Sequence, residues 1–288
     1  MSRMYPFEAI PFSFSISCLE PAICADVTEE HYLGHYMHYL NGLNDTLAAY
    51  PTYQSWSLTK LAAYHCALPL ALRASIANYA GGVYSHELYW HNFQEYCCQL
   101  PKAVGKLALA IEDYFGSFSN FMCQFTETAQ KMSAPGWVWL VVENRTGKLT
   151  IESTTEQAAP LSKRFSPILA LDLWEHAYYE QYQSDKACYI ENWWHLLNWD
   201  SIDKLFGQAT NPQDCEGLFT LACLPQHKQK QTCINPKDCS TNGEAVATGE
   251  SYYTSKHQNI CANSCGNNSH GSTPYYNSKS CHCRKKQK

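Results

Sequence analysis

Asp172 and His176 are two side chains that could bind a transition metal together. They lie four residues apart at the end of an apolar run, so both can turn toward one point, and aromatic residues flank them. A carboxylate with neutral imidazoles suits Mn or Fe better than the thiolates that zinc or copper(I) favours. A lone His among tyrosines is more often a half-buried residue with an ordinary hydrogen bond. The pair is therefore a candidate site that needs further ligands.

The first 90 residues read as helical and carry more His side chains. His31, His35, Tyr39 and Leu43 recur every four positions, which is the spacing of one slowly drifting helix face. Together with a second helical region, this pattern predicts an antiparallel helical hairpin with a short loop around residues 50 to 55. The second region is marked by a predicted N-cap at Ser57, a restart near Pro69 and the pair Gly81 and Gly82.

The pattern becomes mixed after Trp90. Helices are predicted for residues 102–114 and 119–131, with Gly116 as the break between them. We predict an α+β fold in which the helical hairpin is followed by an α/β domain with a three-stranded antiparallel sheet. The predicted strands are residues 137–142, 149–154 and 167–172, the first two joined by a Gly-containing turn. The predicted domains are 1–91, 92–207 and a Cys-rich, disordered extension over 208–288, where large aliphatic residues are scarce.

Composition narrows the class of protein. A formal net charge of −5 argues against binding to nucleic acid or to anionic lipid, since either needs a dominant basic surface. No apolar stretch approaches the roughly 20 residues that span a bilayer, and the N-terminus lacks the pattern of a secretory signal. We therefore expect a cytoplasmic protein that binds neither nucleic acid nor membrane. Fifteen cysteines are an odd number, which in that compartment predicts reduced thiols.

Three segments in the expected order resemble the iron/manganese superoxide dismutase family. The segment DLWEHAYY (172–179) is similar to the family's signature, in which Asp and His are both metal ligands. The segments HYLGHYMHYLNGLN (31–44) and AGGVYSHELYW (80–90) resemble its first and second helices. The resemblance covers roughly residues 5 to 207 and implies one Mn or Fe ion per subunit. The implied ligands are His31, His86, Asp172 and His176.

The same resemblance implies roles for residues around the ligands. His35 and Tyr39 correspond to the pair at the mouth of the substrate funnel, where the phenol takes part in proton delivery. Tyr179 and Glu175 correspond to residues that reach across a homodimer, which in some members is part of a tetramer. Trp90, Trp137, Trp139 and Trp174 are expected to wall the metal pocket.

Manganese is the preferred metal. In the family's iron enzymes a Gln commonly stands four residues before the second-helix His, whereas manganese enzymes have Gly there and a Gln from the sheet. Here that position is Gly82, and Gln157 stands where the sheet residue is expected. The Gln would tune the acidity of metal-bound solvent and with it the reduction potential.

The implied activity is superoxide dismutation, which yields oxygen and hydrogen peroxide by alternate reduction and oxidation of the metal and needs no organic cofactor. Two departures from the family pattern stand out. Ser85 replaces the usual Asn before His86, and Lys186 lies in a segment that is usually Arg-rich near the funnel. Lys186 is expected to supply the charge that attracts the anionic substrate.

Two other interpretations remain open at this stage. A non-haem iron oxygenase also uses two His and one carboxylate, although four protein ligands leave too little room for its substrates. The chain could instead be a non-catalytic metal-storage or interaction protein that acts through its Cys-rich extension. Cysteine pairs in that extension lack the two-residue spacing of a zinc knuckle, which favours loose binding of soft metals or intermolecular disulfides.

Overall fold

The computed structural model describes residues 4–162 and 164–211. Almost all of the predicted extension, from residue 212 onward, lies outside the described residues, and so do the expectations about its order, metals and disulfides. Within the described part no helix is long and apolar enough to cross a membrane.

The N-terminal part is a pair of long antiparallel helical segments. The first segment is interrupted by a wider, π-helical turn at His31–Tyr36. Ser57 caps the second segment as predicted, because its Oγ accepts a hydrogen bond from Lys60 N at 3.2 Å. The second segment runs nine residues beyond the Gly pair. The helices of this part are α1 (Ala25–Glu30), α2 (Met37–Ala48), α3 (Leu58–Tyr64) and α4 (Leu70–His91).

The C-terminal part packs helices around a three-stranded antiparallel sheet, and the predicted α+β class is correct. The strands are ordered β2-β1-β3, so β1, which is apolar up to Val142, is central and buried on both faces. The turn between β1 and β2 contains Gly147 at a φ of 72°, a conformation that suits glycine. The elements are α5 (Gly105–Phe115), α6 (Phe118–Lys131), β1 (Gly136–Glu143), β2 (Leu149–Thr155), β3 (Phe165–Asp172), α7 (Tyr179–Tyr182), α8 (Lys186–Trp193) and α9 (Trp199–Ala209).

Helix α4 joins the two parts through one continuous core. Its C-terminal half, from Ala80 to Trp90, is buried on every side, and it packs on β3 as well as on α2 and α3. Asn92, which follows it, ties it to the sheet, because its side chain donates to Ile168 O at 2.9 Å and accepts from Ala170 N at 3.0 Å. These bonds hold the helical hairpin in a fixed position relative to β3.

The expectation of reduced thiols is wrong for four cysteines of the described part. Cys66, Cys97 and Cys123 are not disulfide-bonded. The other four are disulfide-bonded, namely Cys18, Cys24, Cys98 and Cys188. They are spread over 170 positions of sequence, so their proximity is a product of the tertiary fold and no spacing motif announces it.

Candidate metal centre

The four predicted ligands come together in the folded chain. His31 begins the π-helical turn, His86 lies in the buried half of α4, Asp172 ends β3, and His176 lies in the 3₁₀ turn Glu175–Ala177. One ligand atom from each residue lies within 4.8 Å of the others. Asp172 Oδ2 is 3.2 Å from Nε2 of both His31 and His176, and 3.8 Å from Nε2 of His86.

The π-helical turn keeps the functional side chains of the first segment on one side. In an α-helix a four-residue step overshoots a full turn by about 40°, so side chains at this spacing drift around the axis. A π-helical turn takes more residues and offsets that drift. His31, His35 and Tyr39 consequently face the same region, in contact with the rings of His176 and His86.

Burial and hydrogen bonding set the protonation of the ligands. Burial, and next the nearby charge of His176, lowers the pKa of His31 to about 4. Burial also holds the pKa of His86 well below its usual value. Its Nδ1 lies 2.7 Å from Gly82 O and must donate there, which leaves a lone pair on Nε2.

Asp172 is ionised in this setting. Burial opposes its ionisation, but the nearby His176 and His31 outweigh that effect and hold the pKa of the carboxyl well below its usual value. Its second oxygen, Oδ1, accepts a hydrogen bond from Trp174 N at 2.8 Å. The carboxylate is thereby oriented, with Oδ2 facing the three imidazoles.

These residues fit a first-row transition metal. Nε2 of His31 and Nε2 of His86 are buried and have no well-aligned hydrogen-bond partner, a state that costs free energy unless a cation takes the lone pairs. Three neutral nitrogens and one carboxylate oxygen form a donor set that suits Mn or Fe. The chain could therefore hold one such ion between His31, His86, Asp172 and His176.

A chain of hydrogen bonds connects the sheet to the first helical segment. Trp137 Nε1 donates to Gln157 Oε1 at 3.2 Å, and Gln157 Nε2 donates to Tyr39 OH at 2.8 Å. Gln157 is 2% exposed, and the ring of Tyr39 lies 5.3 Å from that of His86. Burial raises the pKa of Tyr39, so its phenol remains protonated.

The Gly pair of α4 makes room for this arrangement. A Cβ on Gly82 would come within 2.5 Å of the Tyr39 ring. A Cβ on Gly81 would come within 2.1 Å of the Gln157 backbone oxygen. A larger side chain at either position would displace Tyr39 or Gln157, so the Gly in the helix and the Gln from the sheet depend on each other.

Aromatic rings enclose the centre, although not all four predicted tryptophans do so directly. Trp90 lies 4.7 Å from His31, Trp137 lies 5.1 Å from His86, and Trp174 stacks on His176 at 5.7 Å between ring centroids. Trp139 lies behind Trp137, at 5.6 Å, and bonds to Thr154.

Three further predicted residues, His35, Glu175 and Tyr179, lie at the surface near the centre. The ring of His35 is half-buried and stacks on that of His176 at 4.1 Å. Glu175 is exposed, and Tyr179 is 47% exposed, so both can reach a neighbouring molecule. Ser85 is buried and donates to Gly81 O at 2.8 Å within its own helix.

Lys186, which is expected to attract the anionic substrate, is bonded to the end of α6. Its Nζ donates to Met132 O at 2.7 Å and to Gln130 O at 3.2 Å. These carbonyls belong to the end of α6, where a cation is favoured by unsatisfied carbonyl groups. The ammonium group therefore caps the C-terminal end of α6.

Sequence reasoning missed two buried tyrosines beneath the centre. Tyr189 OH donates to the backbone oxygen of Asp172 at 3.0 Å, and Tyr89 OH lies 3.0 Å from Tyr189 OH. Tyr89 also packs on the ring of His31, at 5.6 Å. Their only sequence signal was a place in aromatic runs, which is equally typical of plain core.

The fold and site define a metal-binding protein with a three-His, one-Asp centre between a helical hairpin and an antiparallel sheet. Residues 5–94 match the α-hairpin domain of iron/manganese superoxide dismutases, and residues 103–205 match the C-terminal domain of the same proteins. The two matches together cover most of the described part of the chain.

Curated relatives agree with these matches. The chain is 38% identical over 210 residues to manganese superoxide dismutase 1 of Leptolyngbya boryana, covering 71% of this chain and 82% of that protein. It is 36% identical to the manganese superoxide dismutase of Listeria monocytogenes, over 71% of this chain and 98% of that protein. It is 35% identical to the manganese superoxide dismutase of Thermus aquaticus, over 71% of this chain and 99% of that protein. The chain belongs to the iron/manganese superoxide dismutase family, and its activity is the conversion of superoxide to oxygen and hydrogen peroxide.

Proposed function

We propose that His31, His86, Asp172 and His176 hold one Mn ion and that the chain dismutates superoxide there. The observation that carries this proposal is the convergence of three imidazole nitrogens on Asp172 Oδ2, two of them without another well-aligned partner. When bound, the ion supplies the one-electron oxidation and reduction of superoxide.

The protein's own residues supply orientation and protons. Gln157 Nε2 donates to Tyr39 OH, so the hydroxyl hydrogen of Tyr39 is left to donate toward the site. Trp137 fixes the other end of the Gln157 amide, which settles which atom of the amide faces Tyr39. The rings of Trp90, Trp137 and Trp174 exclude water from the ligands.

The preference for manganese over iron rests on Gly82 and Gln157. The Tyr39 ring leaves no space for a side chain at position 82, and the amide near the centre comes from Gln157, in the turn after β2. This is the arrangement that the resemblance associates with manganese. Position and hydrogen bonding of this amide influence the reduction potential of a bound metal.

A homodimer is the proposed assembly. Glu175 and Tyr179 flank His176 and are exposed on the single chain, which suits residues that would contact a partner's centre. His35 is half-buried against His176 and lies on the same side. It would face Tyr179 of the partner subunit.

Reconstitution tests the metal and the activity together. Purified protein would be loaded separately with Mn and with Fe, and superoxide loss would be followed after pulse radiolysis. We expect the Mn form to be the more active. Asp172→Ala should lower metal affinity by about 100-fold or more, since even outer-shell changes cost 10–100-fold. Asp113→Ala, an exposed change on α5, is the control. If Asp172→Ala bound as much metal as the wild type and removed superoxide as fast, the proposal would be contradicted.

A further inference from the structure

The disulfide-bonded cysteines lie outside the metal centre, and the proposed reaction does not use them. Cys18 and Cys24 flank the segment that leads into α1, Cys98 lies in the connection after α4, and Cys188 lies in α8. Hydrogen bonds and ring contacts along α8 locate each cysteine relative to that helix.

Cys18 lies at the C-terminal end of α8. Its backbone oxygen accepts a hydrogen bond from Tyr96 N at 2.8 Å, and the Tyr96 ring stacks on His195, 5.5 Å away. His195 follows α8 directly and bonds to Cys97 twice, through its backbone oxygen at 3.2 Å and through its Nδ1 at 2.7 Å. Residues 96–98 and Cys18 are therefore neighbours at this end.

Cys24 lies at the opposite end of the same helix. Its backbone N donates to Gln181 Oε1 at 2.8 Å, and the Tyr182 hydroxyl donates to Ala22 O. The Tyr182 ring contacts Tyr189 of α8, with centroids 5.8 Å apart. Cys188 immediately precedes Tyr189 in the first turn of α8, so Cys24 and Cys188 share this end.

We infer that Cys18 pairs with Cys98 and Cys24 with Cys188, so that two cross-links hold the segment 18–24 along α8. The two other pairings among these four residues require Cys18 or Cys98 to reach Cys188. Cys188 and His195 are seven residues apart on a helix, which is about 10 Å. Disulfide Cα atoms are only about 4.4–6.8 Å apart, so a cysteine beside His195 is too far from Cys188.

The two disulfides indicate the kind of compartment in which the enzyme works. Each forms when two thiols lose two protons and two electrons to an acceptor disulfide, of an oxidoreductase or of oxidised glutathione, which becomes two thiols. Such bonds persist in oxidising compartments and are rare in the cytosol. This dismutase therefore works in an oxidising compartment, in place of the cytoplasm that the sequence predicts.

Peptide mapping tests the pairing on the full chain. The protein would be alkylated without reductant, digested with proteases and analysed by mass spectrometry. We expect linked peptides that contain Cys18 with Cys98 and Cys24 with Cys188. Any other partner for these four cysteines, including one of the eight between Cys215 and Cys283, would overturn the pairing.

Thiol counting gives an independent test. In denaturant, Cys24→Ser and Cys188→Ser should each gain one free thiol over the wild type, and the double variant should gain none. Each should lower the melting temperature by about 5 °C or more. Cys66→Ser, which removes an exposed free thiol, should lose one thiol and melt unchanged. A loss of one thiol in either single variant, or a gain of two thiols in the double variant, would refute the Cys24–Cys188 bond.

Alkylation of intact cells before lysis tests the compartment. A membrane-permeant maleimide blocks every thiol that is reduced in its native place. We expect the four cysteines to escape labelling, while Cys66 is labelled. Labelling of the four in protein from its native source would overturn the inference about the compartment and would leave the metal centre unaffected.

Discussion

Three side chains at the centre are each oriented by a second contact. His86 is held through Nδ1 by Gly82 O, Asp172 through Oδ1 by Trp174 N, and Gln157 by Trp137. Because these contacts come from the chain itself, the ligands are preorganised, which lowers the cost of binding the metal.

The phenol pair beneath the centre allows a prediction about single hydroxyls. Tyr189 donates to Asp172 O, so the Tyr89 hydroxyl must be the donor between the two phenols. Tyr89→Phe removes one hydrogen bond and should lower the free energy of unfolding by about 1 kcal/mol. Tyr189→Phe also leaves the Tyr89 hydroxyl buried without an acceptor and should cost about 3 kcal/mol.

Urea unfolding of the metal-loaded variants measures these differences. The double variant should be no less stable than Tyr189→Phe, because it removes the stranded donor. Simple additivity of the two single changes would contradict a direct bond between the phenols.

At the scale of elements, α4 and α9 meet through a buried His. His91 Nε2 lies 2.8 Å from Ser201 Oγ, at the C-terminal end of α4. Burial, followed by the charge of Lys204, lowers the pKa of His91 to about 4. The imidazole is therefore neutral near pH 7.

Stability should fall on acidification because burial keeps this His neutral in the folded chain. The unfolded chain binds a proton at His91 near pH 6.5, whereas the folded chain resists protonation until about pH 4, so acid favours unfolding over this interval. His91 alone should account for up to about 2 kcal/mol between pH 7 and pH 5. His91→Gln should reduce the measured difference between those pH values by that amount. An identical pH dependence in both proteins would show that His91 does not titrate in this way.

At the scale of the whole molecule, the proposed dimer depends on Tyr179. Tyr179→Phe should raise the dimer dissociation constant about tenfold, the effect of one lost interfacial hydrogen bond. Sedimentation equilibrium measures it. Tyr114→Phe is a matched control, because Tyr114 is exposed to a similar degree, 44% against 47%, but lies on α5. Equal dissociation constants for the two variants would contradict the interface.

The sequence alone determined the α+β order, because that order depends on local pattern, and the family resemblance of three segments predicted the ligand set. Four-residue spacing predicted the helix that carries His31, apolar β-branched runs predicted the strands, and the resemblance of segment 172–179 to the family signature predicted two of the ligands. Tertiary structure alone decided what depends on distant neighbours. It joined Gly82 to Gln157, turned Lys186 to the end of α6 and brought together cysteines that the sequence predicts to be reduced thiols. Contacts of this kind carry no local signal, since the energy that selects them arises only when the whole chain packs.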